Sequence, residues 1–232
     1  MNFLAHHIIS IFPDDYYYNL GLTFPDILSL QNRKCKIVEK NVDEKILFFN
    51  NDSQLYSLFL GMKVHLIMDK WFHNSNHFFN LMKIASEAVS ISNFPVHQFI
   101  EILFDIFLDN KDKDFAKSLI DIYKDERLDI VLKKINKIYE INEENFLKLR
   151  NYISSGLFYE NYLDNDKLIV LLQKLAIKSK RKEFYINGED SKSIIDRTMN
   201  LLHDYFENLY IDLLDFSRKK QNELSKKEYI IE

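Results

Sequence analysis

The stretch Gly61-Met62-Lys63-Val64-His65-Leu66-Ile67-Met68-Asp69-Lys70-Trp71-Phe72-His73 decides the fold. After Gly61 nothing interrupts it, and its polar and apolar residues recur three and four apart, the period of a helix. His65, Asp69 and His73 stand at successive i, i+4 positions and therefore share one stripe of that helix. Val64, Leu66, Ile67, Met68, Trp71 and Phe72 fill most of the remaining circumference, as expected of a helix packed on several sides.

A second stretch, Val96-His97-Gln98-Phe99-Ile100-Glu101-Ile102-Leu103-Phe104-Asp105, repeats the device. His97, Glu101 and Asp105 have the same spacing, in a helix whose other residues are nearly all apolar through Leu108. Burying Glu101 and Asp105 without partners would cost several kcal/mol, so such a helix predicts carboxyls that are protonated, paired with cations or bound to metal.

The same reading extends along the chain. Asn2 can cap a first helix running through Ser10, and Pro13 to Tyr18 reads as a turn leading into the Leu20–Asp26 loop. Pro25 suits a first helical turn, which places Asp26 near a helix N-terminus where peptide dipoles stabilise a carboxylate. Helical spacing resumes from Asp43, breaks at Asn50-Asn51-Asp52-Ser53, and continues through the opening stretch. Further helices are expected at about 77–91, 95–109, 113–124, 127–140, 143–161 and 165–179, with a long one from Gly188 to about Ser225.

The composition agrees. Among 232 residues, 47% are hydrophobic and 14% aromatic, enough to bury a full core. Four Gly and three Pro are too few for the turns of a sandwich or barrel, or for a Gly-rich phosphate loop. The expectation is an all-α, compact multi-helix bundle forming a single domain over 1–232, with a metal-type site within 1–110 and a further helical portion at 143–225. The net charge of −4 selects neither nucleic acid nor an anionic membrane. One cysteine, Cys35, excludes an internal disulfide and a cysteine-based zinc site. No basic, apolar leader opens the sequence and no membrane-length apolar run occurs, so a cytoplasmic protein is the simplest expectation.

Imidazole and carboxylate ligands without thiolate suit manganese, zinc, iron or magnesium, and several carboxylates together commonly hold two ions. Such a pair of ions can activate water and clamp a phosphoryl oxygen. A single i, i+4 His/Asp pair is ordinarily a helix-surface hydrogen bond. Two such pairs on buried helices, with His6 and Asp26 also at hand, point instead to a divalent-metal site. Its expected ligands are His6, Asp26, His65, Asp69, His97, Glu101 and Asp105, with Asp69 placed to bridge two ions. Asp26, Asp69 and His73 are the expected catalytic groups, and His73 or His77 could protonate a leaving group.

Met1-Asn2-Phe3-Leu4-Ala5-His6, the Gly-containing loop ending at Asp26, Gly61-x3-His65-x3-Asp69 and Asp105-x-Phe107-Leu108 together resemble the acyl carrier protein phosphodiesterases. Weaker similarity runs through Tyr152 to Tyr162 and into the C-terminal helices. The resemblance implies an all-helical fold distantly related to HD-type metal phosphohydrolases. It also implies manganese-dependent hydrolysis of the phosphodiester joining 4′-phosphopantetheine to a carrier-protein serine, with functional positions at His6, Asp26, His65 and Asp69. The chain departs from that pattern where it has His73 and Glu101 in place of Asp, Ile106 in place of His, and His97 in place of a residue that is not usually a ligand.

An acidic acyl carrier protein needs a basic landing surface, and Lys174, Lys178, Lys180, Arg181 and Lys182 form the densest basic cluster. The order of an early His, a Pro-Asp loop, His-x3-Asp and His-x3-Glu is also similar to zinc phospholipase C and nuclease sites, which makes a zinc phosphoesterase the second reading. A non-catalytic helical binding protein with a degenerate site is the third, supported by Ile106.

Overall fold

The computed structural model describes residues 3–8, 14–31, 37–112, 114–178, 184, 186 and 188–228. Every regular element among them is a helix: α1 (Phe3–Ile8), α2 (Tyr16–Gly21), α3 (Phe24–Gln31), α4 (Glu39–Phe48), α5 (Ser53–His73), α6 (Asn76–Val89) and α7 (Val96–Lys111). They continue with α8 (Phe115–Lys124), α9 (Arg127–Tyr139), α10 (Glu143–Ser154), α11 (Leu157–Leu163), α12 (Asn165–Lys178) and α13 (Gly188–Glu228). Among the described residues, no helix is long and apolar enough to cross a membrane. Cys35 lies outside the described residues.

α5 is the hub. Asp52 caps it by accepting from the Leu55 amide at 3.2 Å, and the Lys134 ammonium holds the same carboxylate at 2.7 Å, so the Asn-Asp-Ser break does start a helix. α2, α3, α4 and α6 all pack against α5, while α7 packs on α1, α6, α8, α11 and α13. Buried hydrophobic side chains from Leu4 to Leu213 form one cluster. The apolar reading of α7 holds: Phe99, Ile100, Ile102, Leu103, Phe104, Phe107 and Leu108 are all buried.

Three local expectations change. The segment read as a turn at Pro13–Tyr18 contains the start of α2, capped by the Asp15 side chain, which accepts from the Tyr18 amide at 3.0 Å. Its helix is stabilised by burial of Tyr16, Tyr18 and Leu20 rather than by any periodic pattern. The single helix expected over 143–161 is two, separated at Ser155-Gly156, where Gly156 takes a φ of 78° that only glycine adopts readily. α4 starts at Glu39, four residues before the expected Asp43. Asn2, Ser10 and Pro13 lie outside the described residues.

α2 and α5 meet backbone to backbone at Gly21 and Gly61. A Cβ on Gly61 would collide with the Tyr18 carbonyl oxygen, and one on Gly21 with that of Leu58. This approach brings the end of α2, and with it the Leu22–Asp26 segment, against the middle of α5. Neither contact offers a flexible side chain that could yield. We therefore expect Gly61→Ala to cost about 3 kcal/mol, the upper end of ordinary overpacking. That corresponds to a fall of about 6–12 °C in the thermal midpoint followed by circular dichroism; an unchanged midpoint would contradict the close approach.

Candidate metal centre

Six ligand-type side chains converge in two trios. His6, Asp26 and His65 form the first; His73, His97 and Glu101 form the second. Within each, one candidate ligand atom per residue lies within 4.8 Å of the others.

The first trio draws on three helices. His65 projects from the middle of α5, and its Nδ1–H donates to the Leu22 carbonyl at 2.7 Å. That bond fixes the tautomer and leaves Nε2 as the free lone pair, directed to Asp26 Oδ1 at 3.9 Å. Asp26 lies in the first turn of α3, as its Pro-Asp context predicts. His6 comes from α1 and stacks on His65 with ring centroids 3.8 Å apart. Burial, with the neighbouring His65 adding to it, holds the His6 imidazole well below its ordinary 6.5, so it is neutral, the form that ligates. Its Nδ1 is buried without a hydrogen-bond partner.

The second trio joins α5 to α7 and repeats the same orienting device. His73 Nδ1–H donates to the Asp69 carbonyl at 2.8 Å, which turns Nε2 toward the other two ligands. His73 Nε2 lies 2.8 Å from His97 Nε2 and 3.7 Å from Glu101 Oε1, and His97 Nε2 lies 3.0 Å from Glu101 Oε1. Ligand atoms around a tetrahedral zinc stand about 3.4 Å apart, and adjacent ones around an octahedral ion about 3 Å. The spacing therefore accommodates a small divalent cation. The ring of Phe78 stands 5.0 Å from each of the two imidazoles and closes one side of the group.

Asp69 belongs to neither trio and lies between them. It is one helical turn from His65 and one from His73, its Oδ1 lies 3.3 Å from His73 Nδ1, and the charges of both His65 and Glu101 act on it. Burial opposes its ionisation, yet the hydrogen bond and charge of His73 prevail and keep the carboxyl below the ordinary range. Glu101 behaves alike: burial would raise it, and hydrogen bonds from His73 and His97 are among the interactions that hold it well below 4.5. The trios also sense each other, since the charges of Glu101 and His73 act on His6.

Other expected residues have different work. Asp105 stands outside both trios; its Oδ1 accepts from the Leu4 and Ala5 amides at 3.1 and 3.2 Å, and burial pushes its carboxyl well above the ordinary range. Oδ1 is thus engaged in holding α1, while Oδ2 is buried without a hydrogen-bond partner. His77 belongs to neither trio and pairs with Asp212 of α13 at 2.6 Å. Lys174 is exposed on α12 and Lys178 ends that helix, while Lys180, Arg181 and Lys182 lie outside the described residues. The Leu22 carbonyl and the Phe78 ring carried no sequence signal, because a main-chain acceptor is independent of residue type and an aromatic in an apolar stripe looks like core.

No family model, no curated protein and no solved structure matches the chain. The donor chemistry and geometry of the two trios thus stand by themselves, and they define a chain able to chelate metal, as a metal-binding enzyme would.

The histidines set a pH window for the chelator-treated protein. His73 is raised to about 10: burial lowers it, but Asp69 and Glu101 outweigh that. The stability it contributes is full below pH 6.5 and lost as the pH rises through about 10. Burial lowers His7 to about 4, so its contribution is full above pH 6.5 and is lost as the pH falls through about 4. Thermal midpoints should peak near neutrality, and His73→Gln should flatten the alkaline limb. An alkaline limb unaltered in that variant would count against the His73 ion pairs.

Proposed function

We propose that the chain is a divalent-metal phosphodiesterase of the acyl carrier protein phosphodiesterase kind, releasing 4′-phosphopantetheine from holo-acyl carrier protein. The observation that carries the metal chemistry is the pair of His, His, carboxylate trios with Asp69 between them. The donor set fits: a neutral His6 imidazole, Asp69 and Glu101 carboxyls held below the ordinary range, and two Nδ1–H groups already committed to main-chain carbonyls. His6, Asp26 and His65 would hold one ion and His73, His97 and Glu101 another, with Asp69, one helical turn from both His65 and His73, as a further carboxylate ligand. Ions bound there supply Lewis acidity toward a phosphoryl oxygen and lower the pKa of water. Manganese is the ion the family resemblance implies; zinc, iron and magnesium suit the same donors.

The chain's own residues do the rest. The side chain of Asp69 is 45% exposed and those of His73 and His97 are 27% and 31% exposed, so this edge of the centre is the one a phosphodiester can reach. His6 and His65, both 3% exposed, lie behind it. Lys174 and the basic cluster that follows it in sequence would meet the acidic carrier protein.

His73, His97 and Glu101 depart from the carrier-protein pattern while making a compact trio of their own, and this favours a zinc phosphoesterase of other diesters as the second reading. The two readings separate in one experiment. Native protein and Asp69→Ala are incubated with manganese or zinc and either holo-acyl carrier protein or a chromogenic phosphodiester. We expect the carrier to lose its 4′-phosphopantetheine by mass spectrometry with native protein only, and Asp69→Ala to retain less metal by elemental analysis. Cleavage of the chromogenic diester alone would favour the second reading. Neither activity, with no bound metal, would leave a binding protein.

A further inference from the structure

Asp105 is a fully buried carboxyl with no place in the chemistry above. It sits on α7 one turn beyond Glu101, and its Oδ1 receives the amides of Leu4 and Ala5. α1 is six residues long, far too short to be helical by itself, so its place must come from tertiary contacts. Those contacts include burial of Leu4 and Ala5, the two amide bonds to Asp105, and His7 Nε2, which lies 2.8 Å from Ser118 Oγ on α8. His6 follows Ala5 directly, and its ring rests on His65.

We infer that Asp105 is a positioning residue for the His6, Asp26, His65 cation site: by holding two successive amides of α1 it sets His6 against His65. The inference rests on the reading of that trio as a cation site. Among the described hydrogen bonds Asp105 makes none to a ligand side chain; it acts through two main-chain amides and the rigidity of one helical turn. The other trio, built wholly from α5 and α7, does not depend on it. Asparagine has the shape of aspartate and keeps the Oδ1 that accepts the two amides, and burial already pushes the Asp105 carboxyl toward its uncharged form.

The test counts cations. Chelator-treated native protein, His6→Ala, Asp105→Ala and Asp105→Asn are each titrated with zinc by calorimetry, with circular dichroism as the check of fold. Native protein should take up two equivalents. His6→Ala should lose one of them, and Asp105→Ala should weaken the same one by about 10–100-fold, the loss typical when a ligand's supporting contact is removed; both should leave the other intact. Asp105→Asn should restore both, which a general loss of stability would not predict. If Asp105→Ala does not fold, Asp105→Ser, smaller but able to keep water beside the two amides, carries the same readout. Two undiminished equivalents in Asp105→Ala or Asp105→Ser would overturn the inference, as would equal losses in the Asn and Ala variants. A native chain that takes up no zinc would overturn the cation-site reading itself, a failure distinct from one confined to Asp105.

Discussion

The contact on which the candidate centre depends is the approach of Gly21 to Gly61, where two helices touch through main-chain atoms alone. With no side chain between them, α2 lies low enough on α5 for the next residue, Leu22, to present its carbonyl to His65. The same descent starts α3 at Phe24, which delivers Asp26 to the free nitrogen of that imidazole. A packing constraint thus becomes a chemical one: the glycines set the height of a helix, and the helix sets the tautomer of a histidine.

Electrostatics then distinguishes carboxyls that local sequence makes look alike. Glu101 and Asp105 sit one turn apart on one buried helix face, and desolvation opposes ionisation of both. Glu101 faces two imidazoles, whose hydrogen bonds are among the interactions that overcome the cost of burial. Asp105 faces main-chain amides, whose dipoles do not. One remains an anion at the candidate centre and the other a neutral fastening for α1.

The two helices that carry most of the candidate ligands were legible because i, i+4 spacing is a local property that an apolar surround makes conspicuous. α5 and α7 lie where their periodicity puts them, and the pairing of His65 with Asp26, and of His97 with Glu101, follows from positions flagged on chemistry alone. What escaped was settled by distant parts of the chain. α2 carries three tyrosines and no amphipathic pattern, and it is helical because its rings are buried by α5 and α8. The division of the centre into two trios was equally hidden, since spacing along α5 places His65, Asp69 and His73 on one stripe without saying which neighbour each will meet. Asp105 was grouped with the ligands because sequence records a carboxyl and its spacing, never the amides that will claim it.

The first trio joins positions 6, 26 and 65, in three helices that the unfolded chain holds far apart. A cation gripped there would tie the amino-terminal segment to the hub at three points, closing loops of 20 and 39 residues much as a disulfide closes one. The chain has a single cysteine and so has no covalent means of doing this within itself. Chelation would then act as a reversible crosslink, formed only after α1, α3 and α5 have all assembled, and the ion concentration would govern how firmly the first third of the fold is closed.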